Sequence, residues 1–241
     1  MLKIEKFVTA SPEQWEIVIE GMRNPHNSWD RMDSYSTHIE DPETLETAEY
    51  AFFVGENDQT LMESLACGGP VHAKYRRMLP VWVTINAPLY WWKEFDTYKV
   101  GTVCNSCSTM HKIHAKEFEL SDFSCEHLFT EADIGWGETV TRTTLEAVIH
   151  ALNIYREKYI EGVNGKTQFD MVNAKYYWWQ MIQLLPSSYN QKRTIFMNYE
   201  VLANIYRWRR NHKLDEWHTF CDWIEELPYS ELITRAEEVE V

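Results

Sequence analysis

Apolar and polar residues follow two different periods along this chain. Between residues 141 and 161, apolar side chains recur three or four positions apart and predict a long helix with one apolar face: Leu145, Val148, Ile149, Leu152 and Tyr155. From Pro80 to Ala87 apolar and polar residues alternate, which is the period of a strand. The two predicted faces of this strand carry Val81, Val83 and Ile85 on one side, and Trp82 and Thr84 on the other. The chain therefore predicts mixed helical and β structure.

Helix start and stop signals divide the remainder of the chain. Ser11-Pro12-Glu13-Gln14 combines an N-cap serine, a first-turn proline and a glutamine three residues after the cap, which predicts a helix to about Arg23. Further helices are predicted from Asp41-Pro42 with Leu45, Tyr50 and Phe53, from Asn57-Asp58 to Gly68, and over residues 74–77, 169–185, 193–211 and 214–227. Residues 24–36 and 118–137 are predicted to be irregular, and residues 91–99 and 105–114 to be short helices or loops around a turn at Gly101. One α+β domain over residues 1–241, with a helical C-terminal half, accounts for these signals.

The composition is that of an ordinary globular protein, but the charge is strongly acidic. Hydrophobic residues make up 44% of the chain, charged residues 25%, and the formal net charge is −14. Non-specific binding to nucleic acid or to an anionic membrane needs a basic face, so we expect neither partner. No apolar run reaches the roughly 20 residues that cross a bilayer, and Met1–Thr9 contains no signal-peptide pattern. We therefore expect a cytoplasmic protein.

Cysteines and histidines cluster between residues 104 and 127. Cys104 and Cys107 have the spacing of a zinc-binding pair, and they are followed by His111, His114, Cys125 and His127. A second ligand pair of standard geometry is not evident, and the usual turn glycines are missing. A redox pair of the thioredoxin type needs a preceding strand, which Val100-Gly101 does not favour. We expect reduced structural or pocket-lining cysteines, as in a cytoplasmic protein, and no bound metal.

Aromatic and polar residues suggest where a ligand binds. Eleven Trp and thirteen Tyr suit a core, a subunit interface or a stacking surface for a planar ligand. The segment from Lys93 to Lys99 follows the predicted strand and is either a ligand site or a solvated turn. Asn198, Asn204 and Arg209 lie along one predicted helix, where two amides and a guanidinium can grip a heterocycle and a carbonyl or phosphate. The alternative is an exposed polar stripe.

The C-terminal polar residues resemble the signature of the flavin-dependent thymidylate synthases. In that family a Leu-Pro follows a helix, as Leu185-Pro186 does here. Eleven residues lie between Pro186 and Asn198, and Arg209 lies eleven positions after Asn198, both as in the family. Asn204 stands where the family has His or Asn. The resemblance also includes Tyr189, His212 and Trp217.

The family's central motif is matched more loosely, over residues 87–108. Ala87-Pro88-Leu89-Tyr90 resembles its strand end, after which Lys93, Glu94 and Phe95 take the Arg-Gln-aromatic places. The Arg-His-Arg places are taken by Thr97, Tyr98 and Lys99, and the following Ser place by Thr102. After one inserted residue, the Asn-Glu and Ser places are taken by Asn105, Ser106 and Ser108. Cationic places of the family are occupied instead by Thr109 or Met110, Ile182 and Glu200.

The resemblance implies a fold, a reaction and a set of roles. The fold is α+β, an antiparallel sheet with flanking helices, in a homotetramer. The reaction is reductive methylation of deoxyuridylate (dUMP) with FAD as cofactor and NADPH and methylenetetrahydrofolate as co-substrates. Arg209 polarises the pyrimidine carbonyl as the catalytic and substrate-binding residue. Cofactor contacts come from Lys99, Thr102, Asn198, Asn204 and His212, and further substrate contacts from Glu94, Asn105, Ser106 and Ser108.

The missing cationic places leave two rival functions open. A relative with the same fold can bind or modify a different pyrimidine nucleotide, with or without transferring a methyl group. A non-enzymatic protein can also use the fold to bind a nucleotide, because fold alone does not determine function.

Overall fold

The computed structural model describes residues 1–40, 47–133, 135, 139–165 and 167–235. Its strands are β1 (Lys3–Val8), β2 (Tyr35–Glu40), β3 (Thr47–Phe53), β4 (Pro80–Pro88), β5 (Val103–Ser106) and β6 (Asn190–Asn198). Its helices are α1 (Pro12–Arg23), α2 (Glu56–Cys67), α3 (Leu89–Phe95), α4 (Thr141–Asn164), α5 (Gln168–Leu184), α6 (Tyr199–Arg209), α7 (Asp215–Glu225) and α8 (Glu231–Thr234). Short 3₁₀ turns occur at Asn24–His26, Trp29–Arg31, Lys74–Met78 and Leu120–Asp122. None of the helices in these ranges is long and apolar enough to cross a membrane.

The strands form two sheets. A four-stranded sheet has the order β1-β4-β6-β5, and β2 pairs with β3 in a separate antiparallel pair. Helices α4 to α8 make the C-terminal half mainly helical, interrupted by β6. The α+β fold class predicted from the sequence is therefore confirmed.

The described residues form two compact units of interleaved segments. The α4–α5 unit contains residues 1–3, 86–96 and 106–193, and the α6 unit contains the remaining described residues. That the whole chain acts as one domain over residues 1–241 stays a prediction.

The α4–α5 unit has its own apolar core. Its buried members are Ile113, Phe118, Phe123, Leu145, Ile149, Leu152 and Met181. Leu145, Ile149 and Leu152 belong to the apolar face predicted for α4, which is confirmed. In α3, the buried Trp92 donates from Nε1 to the Gln191 carbonyl at 2.9 Å, so its one polar atom is satisfied.

The α6 unit buries one face of α1 against the β2–β3 pair. The predicted capping box is present: Gln14 N–H donates to Ser11 Oγ at 3.3 Å, and Ser11 N–H donates to Gln14 Oε1 at 2.9 Å. From the buried face, the Trp15 ring stacks on Phe52 with the ring centroids 5.7 Å apart. In β4, the alternation is confirmed for Val81, Val83 and Ile85, which are buried, whereas Thr84 on the opposite face is also buried.

The helix predicted from Asp41 is wrong over the residues that can be compared. Tyr50 and Phe53 lie in β3, whereas Asp41, Pro42 and Leu45 fall outside the described residues. The irregular prediction for residues 24–36 also misses the start of β2 at Tyr35. Tyr35 pairs with Phe53, and their rings stack with centroids 5.5 Å apart, because facing aromatics stabilise an antiparallel pair. The sequence analysis did not predict β1.

The helix predicted over residues 193–211 is wrong in its first third. Residues 190–198 form β6, and the helix α6 begins only at Tyr199. Ile195 and Met197 are fully buried, whereas the intervening Phe196 is only half-buried, so this stretch has the period of a strand. The Thr194 and Thr84 hydroxyls are hydrogen-bonded at 2.9 Å. Asn105 and Ser106 likewise lie in the strand β5 rather than in a short helix or loop.

Candidate functional site

A cleft of about 460 Å³ lies beside α6 in the α6 unit. One wall is a loop and the other is the helix; the lining residues are Pro70, Thr97, Tyr98, Lys99, Val100, Glu200, Val201, Ala203, Asn204 and Arg207. Its volume lies within the usual range for a small-molecule site. The lining offers two cations, one carboxylate, one amide and one phenol ring, so it suits a polar ligand with a planar part.

The helical wall starts at a strand-to-helix junction. Asn198 ends β6 and caps α6: its Oδ1 accepts a hydrogen bond from Val201 N–H at 3.1 Å. An asparagine is favoured here because its amide oxygen satisfies a backbone donor that the first helical turn leaves unpaired. The cap fixes the first turn of α6, which carries Glu200 and Val201 into the cleft wall.

The loop wall depends on a left-handed glycine. Gly101 has a φ of +80°, and a Cβ at this position would lie 3.0 Å from Val201 Cγ2 on the helical wall. The Thr102 hydroxyl donates to the Tyr98 carbonyl at 2.6 Å and closes the turn. Glycine therefore lets the loop approach α6 closely in a conformation that other residues avoid.

We expect Gly101→Ala to destabilise the fold. An L-residue at this φ costs about 1–2 kcal/mol, and the added methyl group also crowds Val201. Urea denaturation of the variant measures the loss of stability. The matched control is Gly21→Ala in α1, where no atom lies within 4 Å of the added Cβ. The control should be neutral or slightly stabilising, and equal behaviour of the two variants would contradict this account of the loop.

Arg209 lies at the end of α6 and is half-buried. Its Nε donates a hydrogen bond to Tyr98 Oη at 2.9 Å. The guanidinium carbon lies 5.7 Å from the Tyr98 ring centroid and 5.0 Å from that of Trp217 in α7. Because Tyr98 lines the cleft, this hydrogen bond ties the arginine to the cleft wall. Stacking on two aromatic rings stabilises the cation and restricts its orientation.

Two tyrosines anchor α6 to the chain that follows it. Tyr206 Oη donates to Glu225 Oε1 at 2.6 Å, and Tyr199 Oη donates to the Pro228 carbonyl at 2.6 Å. Burial, and then the hydrogen bond that Tyr206 donates to Glu225, raises the pKa of Tyr206 to about 12. Burial also raises the pKa of Tyr199 above its usual value. Both phenols therefore stay neutral donors at physiological pH, and the position of α6 does not depend on their titration.

The cleft wall contains one carboxylate among its lining residues. Glu200 lines the cleft, and its Oε2 lies 3.6 Å from Nη1 of the buried Arg76. Arg76 lies in the Lys74–Met78 turn, which confirms the short helix predicted over residues 74–77. The ion pair holds the Glu200 side chain against the body of the α6 unit. A phosphate group beside this carboxylate would be repelled by it.

The structure brings five of the predicted residues to this cleft or to its walls. Lys99 and Asn204 line it, Asn198 and Thr102 hold its two walls in place, and Arg209 contacts it through Tyr98. One part of the sequence interpretation is wrong, because these residues do not share a single helix: Asn198 belongs to β6 and acts as the cap.

The other predicted residues of the α6 unit lie differently. His212 Nδ1 accepts a hydrogen bond from Leu214 N–H at 3.2 Å, and its ring centroid lies 6.4 Å from that of Trp217. The hydrogen bond between Leu214 and His212 orders the turn that follows α6, next to Arg209 at the end of the helix. Asn105 is exposed on β5 and does not line the cleft.

Three predicted substrate contacts belong to the α4–α5 unit. Glu94 is half-buried on α3, and Ser106 is exposed on β5. Ser108 is exposed, and its Oγ accepts a hydrogen bond from His111 N–H at 2.9 Å, which stabilises a turn. Their roles in binding substrate stay predictions.

The sequence analysis missed the partners that hold Arg209. Tyr98 was aligned only with a motif place, and Trp217 only with the signature. Neither was assigned a contact, although Tyr98 and Arg209 are hydrogen-bonded across 111 positions of sequence. Local periodicity in the sequence does not indicate a contact between residues so far apart. The aromatic surplus was the available signal, because arginine stacks well on such rings.

The cysteine–histidine cluster makes local contacts. Cys107 N–H donates to the Lys192 carbonyl at 3.0 Å, and Arg142 Nη1 lies 3.2 Å from Cys125 Sγ. Burial lowers the pKa of His114, whose ring lies 4.7 Å from that of Tyr159. Within the described ranges, no three His, Cys, Asp or Glu side chains are arranged to hold a metal ion.

We expect the purified protein to contain no stoichiometric zinc. A closed tetrahedral site needs four ligands with thiolate or imidazole donors at bonding distance. Elemental analysis after dialysis measures the metal content, with a zinc-finger protein processed in parallel as a positive control. One zinc per chain would overturn this prediction.

Comparisons with known proteins identify the fold. No protein-family model and no curated protein matches the chain by sequence. A crystal structure of Thymidylate Synthase X (ThyX) from Helicobacter pylori with FAD and dUMP matches 98% of this chain and 98% of its own, with a TM-score of 0.57 at 15% identity. A second structure of that enzyme with FAD and dUMP matches with a TM-score of 0.56 at 15% identity, over 97% and 96% of the two chains.

A third solved structure extends the likeness. It is the UMP/dUMP methylase PolB from Streptomyces cacaoi bound with 5-Br dUMP, with a TM-score of 0.52 at 11% identity over 98% of this chain and 93% of that one. The chain therefore has the fold of the ThyX flavin-dependent thymidylate synthases, as the sequence resemblance predicted. At such identities the likeness establishes the fold alone.

Proposed function

We propose that the chain is a ThyX-fold enzyme that binds dUMP and methylates it reductively. The observation that carries the proposal is the position of Arg209 beside the cleft. Arg209 keeps the family's interval from Asn198, and it is held against Tyr98 in the wall of a cleft of about 460 Å³. Lys99 and Asn204 line the same cleft. Cation, amide and aromatic ring are the groups that recognise a pyrimidine nucleotide.

Arg209 has the chemistry to activate a pyrimidine. Its guanidinium offers donors in a fixed plane, which suits a ring carbonyl on which negative charge develops. The Tyr98 and Trp217 rings, 5.7 and 5.0 Å from the guanidinium carbon, shield it from water and strengthen its electrostatic effect. No protein nucleophile is needed in this scheme, because the chain orients the reactants and polarises the base.

The cleft also has groups that fit a flavin. Lys99 and Arg207 supply two cations for flavin phosphates, and Asn204 supplies an amide for the edge of the ring system. When bound, the flavin supplies the hydride, with NADPH as reductant and methylenetetrahydrofolate as one-carbon donor. The chain's own contribution is to hold the flavin and the nucleotide in register and to exclude water.

A different pyrimidine nucleotide is the second candidate substrate. Glu200 favours it, because this carboxylate lies in the cleft wall at a place where the family has a cation. A carboxylate accepts hydrogen bonds from sugar hydroxyls, as acidic residues do in dinucleotide sites. UMP, with one more hydroxyl than dUMP, is the first alternative to test. A non-enzymatic nucleotide-binding protein would share the binding but show no turnover.

Titration and turnover distinguish these functions. Calorimetric titration with dUMP, UMP and a purine nucleotide measures specificity, and product analysis with FAD, NADPH and methylenetetrahydrofolate measures turnover. The proposal predicts binding of dUMP and formation of thymidylate. Preference for UMP supports the second candidate, and binding without product in either case supports a non-enzymatic role. Failure to bind any pyrimidine nucleotide would contradict the proposal.

We further propose a homotetramer that acts in the cytoplasm. All five cysteines are free, as a reducing compartment favours. Helix α5 exposes large apolar side chains, among them Phe169 (73% exposed) and Tyr176 (64%), which suit burial in a subunit contact. Light scattering at micromolar concentration should give a mass of four chains. A monomer at that concentration would contradict this prediction.

A further inference from the structure

Tyr98 and Trp217 restrict the Arg209 guanidinium. The Tyr98 hydroxyl accepts a hydrogen bond from Nε at 2.9 Å, and the two flanking rings lie 5.7 Å (Tyr98) and 5.0 Å (Trp217) from the guanidinium carbon. Trp217 is fully buried, and its ring packs edge-on against Phe220 with the centroids 6.0 Å apart. One side of the arginine therefore rests on a fixed ring of the core.

Tyr98 is the partner of Arg209 that also lines the cleft. Its backbone carbonyl accepts the Thr102 hydroxyl at 2.6 Å, and the turn between them is set by Gly101 in its left-handed conformation. Its ring lies edge-on to Trp217, with the centroids 6.1 Å apart. The hydroxyl that meets Arg209 is thus presented by a loop of defined shape.

We propose that Tyr98 is a positioning residue that orients Arg209 for its pyrimidine ligand. The inference rests on the proposed function of Arg209. The hydrogen bond from Nε and the two flanking rings fix the guanidinium plane beside the cleft-lining Tyr98. A long arginine side chain loses much rotational freedom when it binds a ligand, and prior orientation reduces that loss. The family has histidine at this place. In this chain Tyr98 takes that place, and its hydroxyl orients Arg209.

The hydroxyl and the ring of Tyr98 make separable contributions. Tyr98→Phe keeps the ring beside Arg209 and removes the acceptor for Nε. Tyr98→Leu removes both. The matched control is Tyr229→Phe, which deletes a phenol hydroxyl that donates to the Phe52 carbonyl at 3.1 Å and does not line the cleft.

A double-mutant cycle with dUMP as the probe tests the coupling. Tyr98→Phe should weaken dUMP binding about tenfold, Tyr98→Leu should weaken it more, and Tyr229→Phe should leave it unchanged. In an Arg209→Lys background, Tyr98→Phe should cause little further loss, because the hydroxyl acts through the Arg209 Nε. A merely structural role of Tyr98 would instead weaken binding by the same factor in both backgrounds, which would overturn the inference.

Proton exchange of the Arg209 Nε–H tests the same contact without a ligand. The resonance is assigned from its loss in Arg209→Lys. Its exchange with water should be slow in the wild-type protein and at least about tenfold faster in Tyr98→Phe, since the hydrogen bond protects it. Equal exchange in the two proteins would overturn the positioning role. If the Nε–H is protected but the protein does not bind dUMP, the proposed function is rejected. The orientation of Arg209 for a pyrimidine is then rejected too, whereas the hydrogen bond between Arg209 and Tyr98 would stand.

Discussion

Replacing Asp58 with asparagine should lower the free energy of unfolding by about 3–5 kcal/mol, the usual cost of removing one partner from a buried ion pair. Asp58 is fully buried, and its Oδ1 accepts from Nε of the buried Arg23 at 2.5 Å. Its Oδ2 accepts from Ser34 N–H at 2.9 Å, from the Ser34 hydroxyl at 2.6 Å and from Asp33 N–H at 3.0 Å. The neutral amide would leave the Arg23 charge buried without its counter-ion.

Urea denaturation followed by tryptophan fluorescence measures this loss. The matched control is Asp222→Asn, which removes one partner of an exposed pair: Arg210 Nη1 lies 2.7 Å from Asp222 Oδ1, and the two side chains are 39% and 64% exposed. An exposed pair contributes at most about 1 kcal/mol, so the control should be close to wild type. If Asp58→Asn loses no more than the control, this pair does not hold α1, α2 and the loop before β2 together.

Replacing Arg209 with lysine should weaken dUMP binding by about tenfold or more, roughly 1.4 kcal/mol. Lysine keeps the charge but loses the planar fork and the Nε that donates to Tyr98 at 2.9 Å. The melting temperature should change little, because Arg209 is half-buried and its flanking rings retain their own packing. Titration and thermal unfolding are measured on the same variant.

The control for this variant lies one residue further along the chain. Arg210→Lys alters an arginine that pairs with Asp222 and with Glu225, at 2.7 and 3.2 Å, whereas Arg209 donates to the cleft-lining Tyr98. It should bind dUMP as the wild type does. If Arg209→Lys instead lowers the melting temperature and leaves the affinity unchanged, Arg209 is structural and α6 does not present the ligand-facing arginine.

Local signals predicted the elements whose boundaries are set locally. The capping box at Ser11 and Gln14 begins α1 at the predicted residue, because both hydrogen bonds lie within one turn. The long helix α4 was predicted from the spacing of the apolar residues on one face. This spacing is visible in the local sequence, because the helix packs this face on a single surface. The turn at Gly101 was likewise predicted, and its positive φ explains why glycine occurs there.

The helix predicted from Arg193 was wrong because strand pairing is not a local property. The apolar run from Ile195 to Met197 is short enough to suit either structure. Its position between β4 and β5 in the sheet makes it a strand. Asn198 therefore lies at the strand end and caps α6 rather than lying on a helix face, and its predicted contact with a cofactor stays a prediction.

The sequence predicted candidate site residues but not their arrangement. The interval from Pro186 through Asn198 singled out Arg209, and the predicted residues Lys99 and Asn204 line the cleft, but the contacts of all three with a cofactor or substrate stay predictions. The arginine's aromatic partners and the Arg76–Glu200 pair depend on the packing of distant segments. The substitution of Glu200 for a cation was visible in the sequence, but its consequence required knowing that it faces the cleft.

Flavin binding by the wild-type protein tests the central claim most directly. The purified protein, incubated with FAD and freed of unbound cofactor, is examined by visible absorbance, with the Lys99→Gln variant in parallel because Lys99 lines the cleft. The account predicts a flavin spectrum at about one FAD per chain, weakened in the variant. A colourless wild-type protein that still retains no FAD in equilibrium dialysis would contradict it.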